Sequence, residues 1–245
     1  MVGKKKIVLV LGMHRSGTSV LTKKIQQFGY SVGKYCLPED EFNPLGYQED
    51  ARIVSIHKAL LTHFNRDWGH VQHWLALPKN WMSETEVDAA CEKIKALVLE
   101  LPRASLVLKD PRMVLFYPIW KFVLEELAIS FKVVVIIRNR NAVVKSLVKR
   151  DKFSTDLAIG LYEYYNSTIV NTVGLDEALW INFETLALDE NIVSKELASF
   201  LEAKITNQNQ IFDTSLNHSG VLEPDQIFGI KSAINHPTPN LIRKS

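Results

Sequence analysis

Apolar positions along the chain follow two alternating rhythms. Residues 7–11, 105–108, 133–137 and 179–183 are short, nearly uninterrupted apolar runs. Runs of this length, rich in β-branched residues, predict strands buried on both faces, as in a parallel sheet. Longer stretches between them space their apolar residues by three and four. Within 18–28, Val20, Leu21, Ile25 and Phe28 fall on one side and Gly29 closes the stretch. The same spacing predicts helices over 48–64, 84–101, 141–150, 156–173 and 191–201. A further helix is expected to start near Pro118, because proline is favoured in a first turn.

Buried strands alternating with helices predict an α/β fold of three layers, α/β/α, around a central parallel sheet. No repeat or low-complexity tract divides the chain. A single domain over residues 1–245 is expected, with roughly the last 25 residues as a mobile tail. In such folds ligands sit at the C-terminal ends of the strands. The residues that follow each apolar run therefore carry most of the information.

The first run leads into Gly12-Met13-His14-Arg15-Ser16-Gly17-Thr18-Ser19 and then directly into a helix. Glycines permit a tight turn, and amides at a helix N-terminus point at one spot, so this is a phosphate-binding loop after the first strand. The spacing of Gly12, Gly17 and Ser19 matches the nucleotide-triphosphate loop, but Thr18 stands where that loop has lysine. The cation is instead Arg15, inside the loop. A plain glycine turn would not require Arg15, Ser16, Gly17, Thr18 and Ser19 together.

The third run ends in Arg138-Asn139-Arg140, and Ser146 follows in the next helix. Arg138 and Ser146 could converge on a second anion; alone, the cluster could equally be a solvated strand end.

Bulk properties add little. Of 245 residues 47% are hydrophobic and 23% charged, and the net charge of +2 gives no reason to expect nucleic acid as a partner. Any anion site must be built locally. No run approaches the ~20 apolar residues of a membrane span, and the apolar run after Lys4-Lys5-Lys6 is too short for a signal peptide. Cys36 and Cys91 make no disulfide framework, which fits reduced thiols and a cytoplasmic location. His63, His70 and His73 lie in a stretch rich in Trp and His, but no Cys or Asp completes a set at ligand spacing, so no metal is expected. Trp68, Trp74 and Trp81, like Tyr162, Tyr164 and Tyr165, fit either an acceptor wall or ordinary packing.

Taken together, the two anion sites resemble those of sulfotransferases that use 3′-phosphoadenosine 5′-phosphosulfate (PAPS). His14 to Ser19 is similar to that family's 5′-phosphosulfate loop, and Arg138 with Ser146 to its 3′-phosphate pair. Asn43-Pro44-Leu45-Gly46-Tyr47-Gln48-Glu49 and Leu108-Lys109-Asp110-Pro111-Arg112 resemble segments of a bacterial, carbohydrate-type branch. The resemblance implies PAPS as co-substrate and a hydroxyl-bearing acceptor: a glycan, a lipid head group or a small natural product. It implies catalytic work by Arg15 and Lys109 at the departing phosphate. One departure matters. The arylsulfotransferase branch carries a histidine base two residues after a lysine, whereas Lys109 here is followed by Asp110 and Pro111. Glu49 is then the first choice of general base, Asp110 the second and His14 the third; Glu49 could also be a first-turn acid favoured by the helix dipole. Two other readings stay open. One is a small-molecule kinase or nucleotide hydrolase, which Thr18 disfavours. The other is a non-catalytic nucleotide-binding module.

Overall fold

The computed structural model describes residues 5–39, 46–69, 77–102 and 104–206. Four strands are present among them: β1 (Lys6–Leu11), β2 (Ser105–Lys109), β3 (Ser130–Ile137) and β4 (Ala178–Asn182). They form one sheet in the order β2-β1-β3-β4, and every pairing is parallel. The helices are α1 (Thr18–Gln26), α2 (Ala51–His63), α3 (Thr85–Glu100), α4 (Met113–Glu126), α5 (Arg140–Asp151), α6 (Thr155–Thr172), α7 (Phe183–Leu188) and α8 (Glu190–Leu201).

The strand alternation builds the three layers. Ile7, Leu9 and Leu11 of β1 point into one core, which they share with α2 to α6. Val8 and Val10 point into the other, beneath α1, α7 and α8. Both faces of β1 are thus buried, which accounts for its uninterrupted apolar run. Alternation also makes β1 central, because it pairs with both β2 and β3.

The strands and most helices match the apolar rhythms to within a few residues. Helix α7 has no counterpart among the expected helices, and Pro118 is a second exception. Its helix starts five residues earlier, at Met113, and Pro118 lies inside it behind a break at Phe116 (φ −117°, ψ 16°). The proline therefore marks a kink rather than a first turn. Helix α2 begins at Ala51, where the Asp50 carboxylate caps the Arg52 amide at 3.0 Å. Glu49 thus precedes the helix and is not a first-turn acid. No helix among the described residues is long and apolar enough to cross a membrane. Cys36 and Cys91 are both free thiols. The tail beyond residue 206 lies outside the described residues.

Candidate functional site

The loop after β1 is shaped by close contacts. Arg15 takes a left-handed backbone (φ 69°) and Gly17 does too (φ 94°). A Cβ on Gly17 would lie 2.2 Å from the Phe183 ring, so both conformation and space demand glycine. Gly12 is equally confined: a Cβ there would meet the Ile136 carbonyl oxygen at 2.8 Å. The loop is therefore pressed against β3 and the start of α7. Gly17 caps α1 without any side-chain hydrogen bond, and the first turn of α1 holds no acid. Its amides face the strand ends with the positive end of the helix dipole.

The sequence-predicted residues divide by position. Arg15, Arg138 and Ser146 come together: Arg15 Nε donates to Ser146 Oγ at 2.9 Å, and Arg138 Nη1 donates to the Arg15 carbonyl at 3.0 Å. The Arg138 guanidinium lies over the Phe183 ring, 4.1 Å from its centroid. Burial lowers the Arg138 pKa to about 10, with Glu184 acting against the shift and Arg15 adding to it. One guanidinium thus meets the Ser146 hydroxyl while the other holds the backbone of Arg15 at the C-terminal edge of β1 and β3. The Ser16 hydroxyl turns the other way. It is buried and donates to the Met13 carbonyl at 2.6 Å, so it holds the turn.

Ser19 faces the other half of the site. Lys109 Nζ, from the end of β2, donates to Ser19 Oγ at 3.1 Å and to Glu49 Oε1 at 2.7 Å. An ammonium from the neighbouring strand thus stands beside Ser19 at the start of α1. Burial pushes the Glu49 carboxyl up, while Lys109 pulls it back. Glu49 is fixed by its own backbone: its carbonyl accepts from Leu37 N at 2.8 Å, beside an antiparallel bridge of Cys36 and Asp50.

Arg112 Nη1 lies 2.8 Å from Asp110 Oδ1 and 3.8 Å from Glu49 Oε2. Asp110 is fully buried, and its second oxygen accepts from His57 Nδ1 at 2.8 Å. Burial alone would raise the Asp110 pKa, but the His57 hydrogen bond and the Arg112 charge outweigh it and hold the carboxyl well below its ordinary range. With both oxygens engaged and no exposure, Asp110 is an anchor for Arg112 and is badly placed to take a proton from an acceptor.

A cavity of about 340 Å³ opens beside these groups, lined among others by His14, Tyr47, Glu49, Trp68 and Arg112. The His14 ring stacks on Trp68 with centroids 4.0 Å apart and meets Tyr165 edge-on. Burial, with Arg112 adding to it, drives the His14 pKa well below its ordinary value, so the imidazole is neutral. His14 Nε2, Arg112 Nε and Tyr165 Oη are buried atoms that have no hydrogen-bond partner among the described residues. Such atoms are costly to leave unsatisfied, about 1–3 kcal/mol each.

The aromatic groups separate as well. Trp68 belongs to the cavity, whereas Trp81 packs against Phe64 and Phe116. The Tyr162 hydroxyl donates to the Arg138 carbonyl at 2.8 Å, and Tyr164 accepts from Arg66 at 3.2 Å. His63 is drawn to Glu84 and Glu86, two carboxylates more than twenty positions along the chain. His70, His73, Trp74, Asn43, Pro44 and Leu45 lie outside the described residues. His57 was missed altogether: a lone histidine on an apolar helix face gives no sequence signal.

No protein-family model matches the sequence, and no curated protein matches it. Solved structures do. A sulfotransferase domain from the curacin biosynthetic pathway superposes with a TM-score of 0.52 at 15% identity, over 97% of this chain and 100% of that one. The sulfotransferase domain of the Synechococcus PCC 7002 olefin synthase gives 0.49 at 18% identity, over 98% and 91%. The first of these establishes a shared fold.

Proposed function

We propose that the chain is a sulfotransferase that moves a sulfuryl group from PAPS to an acceptor hydroxyl, on a carbohydrate or glycan-like molecule. The observation that carries this reading is the meeting of Arg15, Arg138 and Ser146 at the open N-terminus of α1. A donor with phosphates at two ends of one nucleoside needs two adjoining anion seats, and the arginines and hydroxyl gathered at this edge support that reading. A triphosphate loop would instead place its lysine at position 18, where threonine stands.

In this reading Arg138 and Ser146 hold the 3′-phosphate, while His14 to Ser19 hold the 5′-phosphosulfate. Glu49 removes the proton of the acceptor hydroxyl. The acceptor oxygen then bonds to sulfur as the bond from sulfur to the bridging phosphate oxygen breaks, and adenosine 3′,5′-bisphosphate leaves. Negative charge grows on that bridging oxygen, so the Arg15 guanidinium, Lys109 and the α1 amides stabilise the transition state more than the ground state. Lys109 links the two halves, since its ammonium touches both Ser19 and Glu49. As the proton reaches Glu49, Lys109 is released from its ion pair toward the departing phosphate.

The cavity supports the acceptor assignment. Trp68, stacked on His14, and Tyr47 give the cavity aromatic edges suited to contact with a sugar ring, and Arg112 lies 3.8 Å from Glu49. No residue set in this account requires a metal. The test is turnover of PAPS to the bisphosphate with a panel of sugar, lipid and small-molecule alcohols. Labelled sulfuryl product with a sugar supports the proposal, while magnesium-dependent turnover of ATP would replace it with phosphoryl transfer. Binding of the bisphosphate without turnover on any acceptor would favour a non-catalytic nucleotide-binding module.

A further inference from the structure

A line of buried polar groups runs from the middle of α4 to the cavity. Trp120 Nε1 donates to His57 Nε2 at 2.9 Å, and His57 Nδ1 meets Asp110 Oδ2 at 2.8 Å. Asp110 Oδ1 meets Arg112 Nη1 at 2.8 Å, which lies 3.8 Å from Glu49. Trp120, His57 and Asp110 are 0% exposed.

The chemistry of the end group fixes the whole line. An indole N–H can only donate. His57 Nε2 must therefore accept, so the ring proton sits on Nδ1 and is donated to Asp110. Asp110 consequently accepts from His57 on one oxygen and from the Arg112 amide and guanidinium on the other. Its full negative charge is directed at Arg112. Apolar residues of similar volume at such buried sites are often as stabilising as the charges they replace. The line is thus poor value for stability alone, and its far end is a guanidinium that lines the cavity 3.8 Å from Glu49, with an Nε that has no partner among the described residues.

We propose that His57 and Trp120 are positioning residues, which fix the Asp110 carboxylate and through it hold the Arg112 guanidinium against Glu49 at the acceptor wall. The inference rests on the sulfuryl-transfer reading for its catalytic consequence, but the geometry is measurable without turnover. His57→Phe removes the donor to Asp110, whereas His57→Asn leaves an amide N–H close to the place of Nδ1. Trp120→Phe removes the group that sets the tautomer.

Nitrogen-15 NMR of the full chain reads the tautomer of His57 and the Arg112 side-chain signal. The expected result is a neutral His57 protonated at Nδ1, an Arg112 signal that moves in His57→Phe, and its restoration in His57→Asn. In the transfer assay, His57→Phe is expected to lower kcat by about 10²-fold, as small misplacements of a reacting group do, with KM for PAPS unchanged and most activity returned by Asn. An Arg112 signal unmoved in folded His57→Phe, or a His57 protonated at Nε2, overturns the positioning role whatever the activity. A wild-type chain that binds no bisphosphate and transfers nothing, but passes the NMR test, overturns the transfer reading and leaves the positioning geometry standing. If His57→Phe does not fold, Trp120→Phe decides: a wild-type tautomer and wild-type kcat there overturn the proposal.

Discussion

Arg15 Nε and Ser146 Oγ stand 2.9 Å apart although 131 residues separate them in sequence. The contact joins the loop after β1 to helix α5, so the two proposed anion seats adjoin one another. A ligand that occupies both must insert its charges between groups already in contact, so the two seats should respond differently when each is removed.

Arg15→Ala is expected to lower kcat by about 10²–10³-fold, the usual loss when one preorganised donor to a developing anion is removed. Donor affinity should fall less. Steady-state kinetics with PAPS distinguish the two, and an unchanged kcat would remove Arg15 from the transition state.

Arg138→Ala should weaken ligands that carry a 3′-phosphate by about 1.5–3 kcal/mol, the range for a hydrogen bond to a charged group. Adenosine 5′-phosphosulfate, which lacks that phosphate, should be nearly unaffected. Titration calorimetry of wild type and variant with both nucleotides measures the difference. Equal weakening of both would move Arg138 away from the 3′ end.

Much of this arrangement is visible in sequence because it depends on local order. Strand, glycine loop and helix follow one another without interruption from Lys6 to Gln26, so the position of the glycine loop needs no tertiary information. Lys109 and Arg138 are legible for the same reason, each ending or following a buried apolar run. The grouping around Glu49 is different. It depends on Lys109 arriving from β2, 60 residues away, and on Arg112 being turned by Asp110. No periodicity encodes those contacts. His57 is the extreme case, since its role follows only from the indole of Trp120 against one ring nitrogen and Asp110 against the other. Pro118 misled because a helix start and a helix kink leave the same mark in sequence.

Glu49→Gln is expected to cut transfer by about 10²–10⁴-fold, the typical contribution of a positioned base, while the bisphosphate still binds. Glutamine keeps the shape and one hydrogen bond to Lys109 but cannot accept the acceptor's proton. Retained turnover would pass the role to His14, whose neutral imidazole lines the same cavity.

Gly17→Ala tests the loop itself. The left-handed backbone and the Phe183 ring 2.2 Å from the added Cβ together predict a loss of about 1–3 kcal/mol in stability, with donor binding impaired as well. Urea unfolding with and without the bisphosphate reads both effects. An unchanged midpoint would mean that the loop relaxes freely.

His63 gives a pH dependence away from the site. The Glu84 hydrogen bond raises its pKa, and Glu86 at 3.7 Å adds to the shift. A raised folded-state pKa means that the imidazolium stabilises the fold in full below its unfolded value of about 6.5, and that this contribution disappears as pH climbs through the raised value. Thermal melts from pH 5 to 9 should show a small decline across that window, and Glu84→Gln should flatten it. A melting temperature that rises with pH over that window, and does so equally in Glu84→Gln, would contradict the pairing.

The edge formed by Arg15, Arg138, Ser146 and the start of α1 is expected to take a nucleotide with a 3′-phosphate. The most direct measurement is thermal stabilisation of the wild-type chain by adenosine 3′,5′-bisphosphate, beside ATP with magnesium and the Arg138→Ala variant. A ligand bound only to the folded state adds about 2.7 kcal/mol at a hundred times its Kd. A clear rise is expected with the bisphosphate, a much smaller rise in Arg138→Ala and none with ATP and magnesium. A rise with ATP and magnesium alone, or none with either nucleotide, would contradict that expectation.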